Sequence, residues 1–91
     1  MAKAIFPYKV TNNMEKYVRL KQAEMMKERG GRVTLQEVYE AAGEFCGVKP
    51  YTISMIKSGS YSPSVTLAFL LAKFFGTTVD GLFGIEPKED E

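Results

Sequence analysis

Residues 47–64 read GVKPYTISMIKSGSYSPS, and they constrain the fold more than any other part of the chain. Pro50 suits the first turn of a helix and Gly59 a left-handed stop, which predicts a helix over 50–58. Nine residues are too few to be helical alone in water, where roughly 12 to 15 are needed even in favourable sequences. The rest of the chain must therefore hold this helix in place. On a helical wheel Ile53 and Ile56 point one way, with Val48, toward a core. Tyr51, Ser54, Met55 and Ser58 point the other way, with Thr52 on one flank and Lys57 on the other. The outward face carries no charge, only hydroxyls and one flexible thioether.

The partners that hold the short helix are legible on either side. Residues 1–12 look extended, with Ile5, Phe6, Tyr8 and Val10 around Pro7. TNN at 11–13 offers an N-cap for a first helix over about 13–29, with Met14, Tyr17, Val18, Leu20, Met25 and Met26 as its apolar set. Lys21 interrupts that stripe, and RGGR ends the helix. Thr34 and Glu37 have the spacing of a capping box, which opens a second helix. Val38, Ala41, Ala42, Phe45 and Cys46 give that helix its stripe, and Gly47 stops it after about 12 residues, roughly 18 Å. Ser62 and Pro63 read as the cap and first turn of a fourth helix that reaches Phe75. TTVDGLF reads as a short fifth helix packing Val79, Leu82 and Phe83. The organisation is an extended segment over 1–12, an all-α five-helix domain over 13–84, and an acidic flexible tail over 85–91.

Composition narrows the function. The 91 residues are 45% hydrophobic and 25% charged, enough for one domain with one modest core. Cys46 is the only cysteine, so no internal disulfide forms, which fits a reducing cytoplasm. The longest apolar run, LAFLLA, is too short for a membrane span, and the N-terminal sequence lacks the apolar core of a signal peptide. With no histidine, no cysteine pair and no carboxylate cluster, the sequence offers no metal site, no cofactor loop and no catalytic constellation. Cys46 and the methionines Met14, Met25 and Met26 read as core. The net charge is +1, but residues 1–32 hold eight Lys or Arg against three Glu. A basic first third suits an anionic partner; a solvated helix face plus an acidic tail accounts for the same pattern.

The surroundings of the short helix favour the anionic partner. Hydroxyls and a thioether suit base edges and thymine methyls, so Lys49, Tyr51, Ser54, Met55 and Ser58 are the candidate base contacts. Thr34, Thr52, Lys57, Ser60, Tyr61 and Ser62 supply donors, a cation and helix N-termini for phosphates. Positioning contacts on a rim and sequence contacts at the centre are the division of labour of a DNA reader.

The residues Gly47, Val48, Thr52, Ile53, Ser54, Ile56, Gly59, Pro63, Ser64, Ala68, Ala72, Gly76, Asp80, Leu82 and Phe83 carry a resemblance over roughly 33–83. At these spacings the chain resembles the Cro-and-repressor-type helix-turn-helix family, also called the Xre family. The resemblance implies a lambda-repressor-like fold in which helix 50–58 is the recognition helix in the major groove of double-stranded DNA. Two features depart from the family. Gly43, not Gly47, has the usual distance from Thr34, so either GEFC lengthens the turn or the second helix is one turn longer at its start. Phe45 and Cys46 extend the stripe and favour the longer helix, with Gly43 at a close crossing. The outward face also lacks the Arg, Gln or Asn common in family recognition helices.

Two function classes follow. One is a DNA-binding transcriptional regulator, a repressor of phage, plasmid or prokaryotic type. The other is a protein-interaction module on the same fold: an antitoxin, an anti-repressor or an adaptor. The fourth helix bears on this choice. Val65, Ala68, Leu71, Ala72 and Phe75 can serve the core, which leaves Leu67, Leu70 and Phe74 as a second stripe. That stripe is either a homodimer or partner face, or is covered by the first dozen residues through Ile5, Phe6 and Tyr8.

Overall fold

The computed structural model describes residues 7–87. In chain order the elements are β1 (Tyr8–Asn12), α1 (Met14–Arg29), α2 (Leu35–Cys46), α3 (Pro50–Ser58), α4 (Val65–Phe75), α5 (Val79–Leu82) and β2 (Phe83–Pro87). Five helices make the fold, as the sequence implies, and one small sheet is added to them. β2 pairs with β1 in antiparallel register, Val10 opposite Ile85 and Asn12 opposite Phe83. Ile85, Glu86 and Pro87 thus belong to a strand and not to the flexible tail expected from their composition. Ile5, Phe6 and residues 88–91 lie outside the described residues.

The core sits between the helices and is apolar throughout. Met14, Val18, Val33, Val38, Ile53, Ile56, Leu71 and Leu82 are essentially inaccessible to water, and among the described residues no polar or charged side chain is buried. Each buried Ile or Leu of this kind stabilises the fold by about 1.5–3 kcal/mol. α3 contributes Ile53 and Ile56, so a helix too short to stand alone is fixed by two anchors one turn apart.

Local signals set the helix ends. The capping box at α2 forms as its spacing predicts: the Thr34 hydroxyl accepts from the Glu37 amide at 3.1 Å, and the Thr34 amide donates to the Glu37 carboxylate at 2.8 Å. At α1 the cap moves by one residue. Asn13 makes no side-chain cap bond, whereas Asn12 Oδ1 accepts from the Met14 amide at 2.8 Å. At α4 it moves by two. Ser64, not Ser62, is the cap, its Oγ accepting from the Leu67 amide at 3.2 Å, and Pro63 precedes the helix. Ala68, Leu71 and Ala72 of α4 are buried as expected, but two of its side chains are not where the stripe placed them. Leu67 is buried, and Phe74 packs on Phe45 and Phe75 at ring-centre distances of 5.7 and 4.9 Å. Val65, expected in the core, is exposed instead.

α1 is less apolar inward than its sequence implies. Met14 and Val18 are buried and Met25 packs on the core, but Leu20 and Met26 face water. Lys21, which breaks the stripe, lies with its Nζ 4.7 Å from the centre of the Phe74 ring and pairs with Glu24 at 3.2 Å. Its alkyl stem covers apolar surface while the ammonium stays wet. Gln22 Nε2 donates to the Val33 carbonyl at 2.8 Å and ties the loop after α1 to the helix it left.

Candidate nucleic-acid interface

The α2–α3 unit depends on a close backbone approach at Gly43. A Cβ there would lie 2.6 Å from the Val48 carbonyl oxygen and 3.3 Å from the Pro50 nitrogen. Only a glycine lets α2 run unbroken through GEFC to Cys46 while the turn folds back against it. GEFC is therefore helical and does not lengthen the turn, and the Gly43 and Gly47 carbonyl and amide groups close the end of α2, Gly47 N–H to Gly43 O at 2.8 Å and Val48 N–H to the same oxygen at 2.9 Å. Cys46 is half-buried against the core, and burial pushes its thiol above the ordinary range, which suits a packing residue.

α3 then presents the face expected of it. Tyr51 is 71% exposed, Ser58 is exposed, and Ser54 and Met55 are half-buried beside them. Lys49 occupies the N-cap position with its side chain free of any cap bond, at the entry to the helix. Gly59, at φ 85°, ends the helix in the left-handed conformation. Ser58 is less available than its position implies. Its hydroxyl bonds back to the Met55 carbonyl at 3.0 Å and lies 3.0 Å from Ser60 Oγ.

The expected rim is only partly assembled. Ser60, Tyr61 and Ser62 sit exposed in the α3–α4 loop, and Thr52 is half-buried on the flank of α3. Thr34 is at the start of α2, where its hydroxyl and amide are both used by Glu37. Lys57 reaches Glu15 of α1 at 3.5 Å, and Glu15 in turn accepts from Arg19 at 3.0 Å. Arg19 first, and then Lys57, hold the Glu15 carboxyl below its usual pKa. At the other end Arg29 pairs with Glu37 at 2.8 Å and donates to the Arg32 carbonyl at 2.9 Å. The Arg29 guanidinium, with the Thr34 amide, lowers Glu37 to about 2. A carboxylate thus already occupies the positive end of the α2 dipole, the place where a phosphate was expected to sit.

Asn12 is the contact that motif reading did not reach. Its Nδ2 donates to the Ile56 carbonyl at 2.6 Å, so one side chain joins β1, the start of α1 and α3. Asn-rich caps are visible in sequence; a bond to a carbonyl so far along the chain is not. The stripe of Leu67, Leu70 and Phe74 does not form a free face either. Leu67 is in the core, and Leu70 and Phe74 are half-buried.

Two helices joined by a tight turn, the second short, anchored by two isoleucines and outward-facing, define a helix-turn-helix protein. The chain belongs to the Cro-and-repressor-type helix-turn-helix family: the family model described as Helix-turn-helix matches residues 23–82. The chain is also similar to an uncharacterised HTH-type transcriptional regulator of Methanocaldococcus jannaschii, 46% identical over 43 residues. That match covers 47% of this chain and 65% of the relative, so the chain spans a little under two thirds of the relative's length. No solved structure matches the chain. Among the described residues no helix is long and apolar enough to cross a membrane.

Proposed function

We propose that this protein is a DNA-binding transcriptional regulator that reads the major groove with α3 and acts, as a repressor, by occupying a promoter. The observation that carries the reading is the outward face of α3. Tyr51, Ser54, Met55 and Ser58 stand uncharged on a helix fixed from behind by Ile53 and Ile56. Family membership and the transcriptional role in the relative's name support it. In this reading Lys49 and those four residues meet base edges, Tyr51 and Met55 giving apolar contact with thymine methyls. Thr52, Lys57, Ser60, Tyr61 and Ser62 meet the backbone. Thr34 contributes less, because Glu37 holds its donors. Lys57 trades Glu15 for a phosphate on binding. The protein works without catalysis or cofactor, in the cytoplasm, as a homodimer on two half-sites.

The test is a titration of the purified protein against the DNA upstream of its own gene and against random DNA, at two salt concentrations. The double variant Tyr51→Ala, Met55→Ala runs alongside. About five phosphate contacts give a slope near −4 to −5 in log affinity against log salt. Preference for the upstream DNA, lost in the double variant, is the expected result. Absence of binding to either DNA at low salt overturns the reading and turns the α3 face into a protein contact.

A further inference from the structure

We infer that Arg19 of α1 and Lys57 of α3 form one further contact for a DNA backbone phosphate, and that the Glu15 carboxylate holds its place in the free protein. This site rests on the DNA-reading assignment and adds α1 to the surface that meets the duplex. Its geometry is a carboxylate between two cations. Arg19 Nε donates to Glu15 Oε2 at 3.0 Å, and Lys57 Nζ donates to Glu15 Oε1 at 3.5 Å. Each oxygen thus has its own donor, one from each helix. A backbone phosphate also presents two unesterified oxygens, and arginine and lysine are the cations that commonly take them. The donors that hold Glu15 are therefore donors that can hold a phosphate.

The two ion pairs are not what places α3. Ile53 and Ile56 fix that helix from behind, and Asn12 Nδ2 donates to the Ile56 carbonyl at 2.6 Å, next to Lys57. Neutral contacts thus already tie this end of α3 to the start of α1. The Glu15 and Arg19 side chains are 59% and 62% exposed, and pairs so exposed add little to stability. Lys57 differs from both. Its side chain is only 20% exposed, with the stem laid against the protein and the ammonium brought to Glu15. Among the described residues, this is the one ion pair that α3 makes.

Charge sets what the arrangement does. Two cations face one carboxylate, so the cluster as a whole is positive and draws a phosphate. Arg19 first, and then Lys57, hold the Glu15 carboxyl below its usual pKa, so it is ionised near neutral pH and competes with that phosphate. Both pairs must open before the phosphate gains their donors. Glu15 is therefore a brake on binding. A phosphate contact carries no sequence information, so the brake acts on every duplex alike.

The test is a titration of the full chain against random and upstream duplexes over a series of salt concentrations. Near 0.15 M salt, charges more than about 8 Å apart are largely screened, which isolates local pairs from the overall field. Glu15→Gln is expected to bind both duplexes about two- to fivefold more tightly, the range of an exposed ion pair, with the preference between them unchanged. Arg19→Gln is expected to weaken both and to make the slope of log affinity against log salt shallower by about 0.9, one phosphate contact. The gain from Glu15→Gln disappears when Arg19→Gln and Lys57→Gln are combined with it. Glu24→Gln removes the same charge from the same helix, but from a residue that pairs with Lys21 at 3.2 Å, and leaves the affinity where it was. An equal gain in Glu24→Gln, or a Glu15→Gln gain that survives without Arg19 and Lys57, overturns the inference. If the variant carrying Lys57→Gln unfolds, the Arg19→Gln slope decides, and an unchanged slope overturns the inference. Wild-type protein that binds neither duplex at low salt sinks the DNA reading and this site with it; wild-type binding that none of these variants shifts sinks the site alone.

Discussion

The α2–α3 unit and the β1–β2 sheet place their isoleucines in opposite ways. Ile53 and Ile56 are wholly inside, and the residues between them are polar or outward-facing. Ile85 and its partner Val10 are mostly outside, while the charged side chains occupy the other face of the same strands. The first arrangement is complete within one chain. The second leaves apolar surface over, and so points away from the chain that carries it. Burial direction separates a part that holds the fold from a part that meets something.

Removing the same atoms from both regions gives the largest contrast. Ile53→Ala loses about 2–5 kcal/mol of stability through transfer and cavity terms. Ile85→Ala, measured in protein dilute enough to be monomeric, stays within about 0.5 kcal/mol. Urea denaturation at low concentration reads both, and equal losses would erase the distinction. Next comes the backbone contact at the turn. Gly43→Ala gains about 1 kcal/mol of helix propensity but forces the Val48 carbonyl away, and a net loss of about 1–3 kcal/mol is the expected outcome in the same assay. A stabilised variant would show that the turn yields freely.

Asn12→Ala probes the one side chain that spans both regions. It leaves the Met14 amide uncapped and the Ile56 carbonyl short of a donor, a loss of about 1–2 kcal/mol. Loss of DNA affinity beyond that predicted from stability would sharpen the link between the β1–β2 sheet and α3. The smallest effect is electrostatic. Glu37 titrates at about 2 when folded against an ordinary 4.5, so it binds its proton less readily than in the unfolded chain. Its contribution is present above pH 4.5 and disappears as pH falls toward 2. Stability should decline across that window in acid titration, and Arg29→Met should flatten the decline without abolishing it, because the Thr34 amide remains.

What the sequence made legible is what local chemistry decides. The capping box at Thr34 and Glu37, the stop at Gly59, and the inward pair Ile53 and Ile56 all lie within a turn or two of the residues that cause them. Gly43 could be placed at a close approach because a mid-helix glycine has a cost that something must offset. The misses have two sources. Ser62 and Ser64 are both competent caps, and the one used is Ser64, which makes Val65 the first residue of α4 and leaves it exposed, while Leu67 joins Ala68, Leu71 and Ala72 in the core. The remaining misses are non-local. β2 was hidden because Phe83, Ile85 and Pro87 read as a strand only once β1 lies beside them. The Lys57 bond to Glu15 and the Asn12 bond to Ile56 join distant segments, and no spacing rule reaches them.

The pairing of β1 with β2 also sets an order of events. Tyr8 meets Pro87, so the strand pairing closes a loop that contains all five helices. Closure entropy rises by about 0.6 kcal/mol for each doubling of such a loop. Helices form their contacts between near neighbours and shorten the distance first, so the strands join last in folding. The converse holds in the native protein. Parting the strands breaks few buried contacts and releases the two ends of the chain together, while α1 to α4 stay packed. Amide protons of Val10 and Ile85 therefore exchange through a small local opening, and those of Ile53 and Leu71 only when the helices come apart.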